Sequence, residues 1–140
     1  MTNDYTISTD KKKLNLDVIH QFLSQDSYWA LNIPRELVQR AIDNSICFGI
    51  YYREQQVGFA RVISDLATFA YLSDVFVVPS HRGKGLSKFL VETISNYPDL
   101  QGLRRWVLVT KDAHSLYTQF GFTPLDNPDL FMQRKLIEKY

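Results

Sequence analysis

The sequence predicts an α/β fold: a mixed, mostly antiparallel sheet of about six or seven strands flanked by about four helices. Three observations predict it. Two strand-like apolar runs, "ICFGIYY" and "VGFARVI", are joined by the polar turn "REQQ" and read as an antiparallel hairpin. A longer run, "TFAYLSDVFVVP", closes at Pro79 and leads through a glycine-bearing turn into a helical pattern. A continuous apolar strand, "RRWVLVT", follows that helix, which is the order of a crossover connection.

The elements follow in chain order. "DYTISTD" alternates weakly and reads as a first strand. "LNLDVIHQFLSQDSYWA" carries Leu16, Ile19, His20 and Leu23 near helical spacing. "IPRELVQRAIDN" opens with Pro34 at a helix start and continues with the stripe Leu37, Val38, Ala41 and Ile42. After the hairpin and the third strand, "GLSKFLVETISNY" places Leu86, Phe89, Leu90, Thr93 and Ile94 on one helical face. "DAHSLYTQF" reads as a short helix capped by Asp112 and ended by Gly121. "FTPL" and "LFMQRKL" read as two final strands.

The 140 residues fit one domain, residues 1–140, with a core that needs no disulfide or metal to hold it. Apolar content of 45% and charged content of 22% are those of a globular protein. A net charge of +1 excludes a broad electrostatic footprint for nucleic acid, so any anion site is local. The single cysteine, Cys47, lies in an apolar run with no basic partner nearby and reads as a small buried hydrophobe. With no disulfide framework, a polar N-terminus and no membrane-length apolar run, the expectation is a cytoplasmic protein with neither a secretory signal nor a membrane partner. No pair among His20, His81 and His114 has metal-ligand spacing, and no metal is expected.

The chemistry concentrates in "PSHRGKGLS". A helix start leaves backbone N–H groups without intrahelical partners and carries partial positive charge. Gly83 and Gly85 let the backbone curve closely around a ligand, and Arg82 and Lys84 add charge beside it. Together they describe a phosphate or pyrophosphate cradle; a solvated basic turn is the plainer alternative. The spacing of a P-loop is absent, and "GKGLSK" lacks the third glycine of a dinucleotide fingerprint.

The segment "DVFVVPSHRGKGLSKFLVETI" resembles the acyl-CoA-binding segment of the GNAT superfamily of N-acyltransferases, a strand followed by [QR]-x-x-G-x-[GA] and a helix. Downstream, "AHSLYTQFGF" resembles the family pattern A-x-x-L-Y-x-x-x-G-F, with one strand between the two motifs. Ser80 stands where the first motif has Gln or Arg, and Thr110 where an Asn often precedes the second. The resemblance implies a GNAT-like sheet splayed between its fourth and fifth strands, and acetyl-CoA as acyl donor. It implies that backbone groups of Phe76, Val77 and Val78 pair with the pantetheine arm. Arg82, Gly83, Lys84, Gly85, Leu86 and Ser87 then hold the pyrophosphate, with Thr110 beside the thioester.

Tyr117 matches the family tyrosine that protonates the departing thiolate, a role suited to a group that keeps its proton at neutral pH. Asp74, an acid in an otherwise apolar strand, is the candidate base or the anchor of a cationic acceptor; pairing with a nearby arginine is the alternative. Tyr28 and Trp29, with Phe69 and Tyr71, are candidate walls of the acceptor pocket, though core packing explains the first two equally well. His81 reads as a surface residue and His20 as structural.

The leading expectation is an N-acetyltransferase acting on a primary amine by direct attack in a ternary complex. The acceptor is a small molecule or a protein amine, and the chain is a candidate homodimer. A non-catalytic CoA-binding sensor and a nucleotide-phosphate binder are the alternatives. Acyl length and acceptor identity stay open at this level.

Overall fold

The computed structural model describes residues 4–140; Met1–Asn3, the first residues of the polar start, lie outside the described residues. A five-stranded sheet runs in sequence order: β1 (Tyr5–Ser8), β2 (Ile46–Tyr52), β3 (Gln55–Ser64), β4 (Phe69–Val77) and β5 (Arg105–Leu108). β1 to β4 pair antiparallel; β4 and β5 are parallel. The helices are α1 (Leu16–Gln21), α2 (Arg35–Asp43), α3 (Leu86–Ser95) and α4 (His114–Thr118). α3 is the crossover that a parallel pair requires.

The sheet is therefore mixed and mostly antiparallel, as the sequence predicts, but it has five strands among the described residues rather than six or seven. "FTPL" and "LFMQRKL" form no ladder: the chain bends at Pro124, and Leu130 ends a single 3-10 turn. Alternating apolar residues supply only half of a strand; the other half is a partner for the backbone. Two local readings also change. The first helix is shorter than its apolar pattern: α1 widens into a π-turn over Phe22–Asp26, and Ser27 lies beyond it. At α4 it is Thr110, not Asp112, whose hydroxyl accepts the Ala113 N–H, at 3.0 Å.

The core lies on both faces of the sheet. Phe48, Val62, Ala70 and Leu72 pack against Leu86, Leu90, Val91 and Ile94 of α3. Cys47, Phe59 and Phe76 pack on the opposite face against Ile19, Leu23, Val38 and Ile42. Burial pushes the Cys47 thiol up to about 11, which suits a packing residue and not a nucleophile.

One irregularity in β4 sets the site. The β3–β4 register shifts between Phe59 and Arg61, and Asp74 adopts φ of 54°, a left-handed conformation uncommon for residues other than glycine. Strict alternation would turn Asp74 to the same face as Ala70 and Leu72, into the apolar core. The bulge inserts one residue and aims it at the opposite face. There Arg61 Nε donates to Asp74 Oδ2 at 2.9 Å and Trp29 Nε1 donates to Oδ1 at 2.8 Å. The ion pair is nearly enclosed, with side-chain exposures of 16% and 10%.

Removing one partner of such a pair strands a charge in a poorly solvated place. Arg61→Ala is expected to lower the unfolding free energy by about 3 kcal/mol, read from urea denaturation. A loss below about 1 kcal/mol, the size typical of an exposed pair, would show that water already solvates Asp74.

Candidate active site

β4 and β5 pair only from Phe69↔Arg105 to Leu72↔Leu108. β4 then continues to Val77 with β3 alone, while the chain after β5 turns away toward α4. A cleft of about 240 Å³ opens in this fork. Its walls are Ser73, Asp74 and Val75 on one side and Val109, Thr110, Asp112 and Ala113 on the other. Tyr28, Trp29 and Tyr71 close one end, and Tyr117 lies within it.

Each of these side chains is held. The Tyr28 hydroxyl accepts the Lys111 N–H at 2.9 Å, and the Lys111 ammonium lies 5.4 Å from the Tyr28 ring centroid. Tyr28 also meets Trp29 edge to face at 5.0 Å, so the segment between α1 and α2 is fastened to both prongs of the fork. Tyr117 comes from α4 and packs edge-on to Phe122 at 5.8 Å. Burial first, then the Tyr28 hydroxyl and the Asp112 carboxylate, push Tyr117 up to about 12. Each makes a phenolate more costly, so the side chain keeps its proton through the neutral and alkaline range.

Val78 N–H donates to Val57 O at 2.9 Å. Alternation then turns Val77 outward, toward the fork, while Phe76 and Val78 bond toward β3. Of the strand residues expected to pair with a ligand through their backbone, only Val77 presents its groups to the opening. Its carbonyl already accepts Arg82 Nε at 2.9 Å. Phe76 instead stacks on Phe22 with ring centroids 4.1 Å apart. Arg82, expected to reach a ligand, is thus partly committed to the strand.

The basic turn forms a second depression of about 320 Å³, lined by Arg82, Gly83, Gly85, Ser87 and Lys88 among others. Gly83 and Gly85 have φ of 77° and 75°, with open space where a Cβ would stand. α3 begins at Leu86 without a side-chain cap, so its first N–H groups face the depression's rim. Leu86 also lines it and is itself buried. Lys84 is exposed beside the loop and is not one of the lining residues; Lys88, one helical turn on, is. His81 does not stand free in solvent. Nδ1 of His81 and the Tyr5 hydroxyl share a 2.8 Å hydrogen bond, and the ring packs against Tyr5 and Tyr52. The start of the loop is thereby tied to β1 and β2.

The structure brings Tyr28, Trp29, Tyr71, Asp74, Thr110 and Tyr117 to one cleft. Phe69 stands at the far end of β4, opposite Arg105, and does not line it. Sequence reasoning anticipated an arginine partner for Asp74 without naming Arg61, and missed Asp112 as a cleft residue. An arginine inside the apolar hairpin strand "VGFARVI" was the available signal for the first. His20 is structural, its Nε2–H donating to Ile33 O at 2.9 Å. Among the described residues there is no cluster of His, Cys, Asp or Glu able to hold a metal ion, and no helix long and apolar enough to cross a membrane.

Comparison with known proteins agrees with this fold. A family model described as an acetyltransferase (GNAT) domain matches residues 43–124. A Gibberella zeae protein named as an acetyltransferase is 35% identical over 81% of this chain and 76% of its own length. A crystal structure from Xanthomonas campestris pv. campestris, assigned to the GNAT family, superimposes with a TM-score of 0.94 at 54% identity, covering 97% of this chain and 96% of that one. A Clostridium acetobutylicum structure solved with acetyl-CoA shares the fold at 17% identity, with a TM-score of 0.66 and 97% of each chain covered. The chain belongs to the GNAT family of acetyltransferases.

Proposed function

We propose that this protein, acting through one domain over residues 1–140, transfers an acetyl group from acetyl-CoA to a primary amine by direct attack in a ternary complex. The observation that carries the reading is the meeting of Tyr117, protonated and buried, with the open fork of β4 in a chain of this family.

The residues present fit such a donor. The glycine loop and the uncapped start of α3 supply N–H groups and room for a pyrophosphate, with Lys84 and Lys88 adding charge. Val77 offers its N–H along the fork to an amide-bearing arm. Acetyl-CoA, when bound, supplies an activated thioester. Tyr28, Trp29 and Tyr71 form an aromatic wall for the acceptor. Asp74, with each oxygen accepting from a fixed donor, keeps lone pairs for a further one. It anchors the acceptor ammonium and receives its proton through water. As the amine's C–N bond forms and the C–S bond breaks, the Tyr117 hydroxyl gives its proton to the departing sulfur, the nitrogen loses its second proton to water, and Asp74 releases the first to solvent. Tyr117 then recovers a proton from solvent.

Calorimetric titration of acetyl-CoA with release of free CoA thiol across an amine panel tests the whole reading. Wild-type protein that binds acetyl-CoA but never releases CoA with any amine would overturn it. Tyr117→Phe is expected to cut kcat about 100-fold while leaving acetyl-CoA affinity unchanged. An unchanged kcat would remove Tyr117 from the chemistry.

The pH profile follows from the same group. With Tyr117 pushed up to about 12, kcat/KM is expected to rise with pH as the acceptor amine loses its proton, with no falling limb from the tyrosine below about pH 10, the reference value for tyrosine. A falling limb near pH 9 that disappears in Tyr117→Phe would contradict it.

Asp74→Asn is expected to raise the amine KM about 10-fold with little change in acetyl-CoA affinity. Equal KM values in the two proteins would exclude the anchoring role. Lys88→Glu reverses a charge at the loop and should weaken acetyl-CoA binding about 10-fold, roughly 1.4 kcal/mol; unaltered affinity would place the pyrophosphate elsewhere.

A further inference from the structure

Thr110 stands just past the point where the fork opens. The β4–β5 ladder closes at Leu72↔Leu108, and Thr110 then lines the cleft together with Tyr117. A threonine hydroxyl has one proton to donate and two lone pairs to accept with. One lone pair is in use: Oγ1 accepts the Ala113 N–H at 3.0 Å. Among the described residues, no acceptor takes the hydroxyl proton. Thr110 is therefore a donor held in place on the cleft wall with its donating side unused. The Tyr28 hydroxyl accepts the Lys111 N–H in the same way, but it belongs to the aromatic end of the cleft.

The chain around Thr110 is fixed on both sides. Lys111, the next residue, is fastened through its N–H to Tyr28. Ala113, which Thr110 holds, is the N-cap of α4, and its carbonyl accepts the Leu116 and Tyr117 N–H groups at 3.1 and 3.4 Å. One side chain thus sets where the Tyr117 backbone starts and keeps a hydroxyl of its own beside it.

Acyl transfer moves negative charge through two places. Attack by the amine gathers it on the carbonyl oxygen, and loss of the leaving group gathers it on sulfur. Tyr117 serves the sulfur, and the oxygen so far has no side-chain donor. Resting on the acetyl-transfer reading above, we propose that the Thr110 hydroxyl donates a hydrogen bond to the thioester carbonyl oxygen and strengthens it as charge gathers there. Thr110 keeps its proton throughout. The bond tightens while C–N forms and relaxes when the carbonyl is restored, and the proton on the departing sulfur comes from Tyr117. A donor already fixed before the reaction needs no reorganisation during it, which is what makes such a hydrogen bond effective.

The test uses the full chain with acetyl-CoA labelled with carbon-13 at the thioester carbonyl. Infrared spectra of the bound ligand should place the carbonyl stretch lower in wild type and in Thr110→Ser than in Thr110→Val, which has the same shape and no hydroxyl. Calorimetry should give similar acetyl-CoA affinity in all three. With an amine that supports CoA release, Thr110→Val is expected to cut kcat about 100-fold, and Thr110→Ser to restore most of it. Valine also loses the Ala113 bond, so the variant is repeated in a Tyr117→Phe background. A direct role predicts a further fall of about 10-fold or more there. No further fall means that Thr110 acts only by placing Tyr117, and overturns the proposal. An unchanged carbonyl stretch, or an equal loss of kcat in Thr110→Val and Thr110→Ser, overturns it too. Should valine misfold by circular dichroism, Thr110→Ala removes the same hydroxyl and takes its place. Wild type that fails to bind acetyl-CoA, or never releases CoA, removes the acetyl-transfer reading and this role with it. Wild type that turns over, depends on Tyr117 and ignores Thr110→Val removes this role alone.

Discussion

The organisation of this protein turns on strand β4 keeping one neighbour throughout and losing the other half-way. Its pairing with β3 extends to Val77, whereas its pairing with β5 stops at Leu72. Backbone donors and acceptors beyond that point have no ladder partner on the β5 side, and buried backbone groups in folded proteins are nearly always paired. Here the exposure is tolerable because the fork is a cleft open to solvent and because Arg82 covers one outward carbonyl. What is a defect in a sheet is, in a binding site, a row of directed hydrogen-bonding groups. The same divergence makes room for α4 to deliver Tyr117 between the prongs.

The fork would be of little use without the devices that hold its rim. The bulge in β4 takes Asp74 out of the α3-facing core and sets it against Arg61 and Trp29. Tyr28 fastens the segment after β5 to the segment after α1. Tyr5 and Tyr52 hold His81 and so the start of the glycine loop. In each case a side chain from a distant part of the chain fixes a loop that lacks regular structure of its own. Loops so held present their groups at fixed positions, which is what an acceptor and a donor meeting in one cleft require.

Local physics made much of this legible. Apolar runs bounded by turns located β2, β3 and β4, and helical spacing located α2 and α3, because each pattern reports how the element is buried. Pro79 and the two glycines marked the turn because backbone geometry restricts who can stand there. Tyr117 and the loop were recognised as a pair of motifs in order, before any distance between them was known.

Other features are decided only by the tertiary structure. Asp74 reads as a residue on one face of a strand; the bulge that turns it to the other depends on how β3 and β4 align, and alignment is a property of two strands together. Phe69 follows the same alternation as Tyr71, yet lies outside the cleft because the fork opens beyond Leu72. "FTPL" and "LFMQRKL" have the composition of strands, but a strand exists only where another backbone accepts its bonds. The sequence by itself determined which residues prefer burial, which turns are permitted and which motifs are present. The folded chain decided which edges meet and which stay open, because hydrogen-bond pairing between distant segments is not encoded in either segment alone.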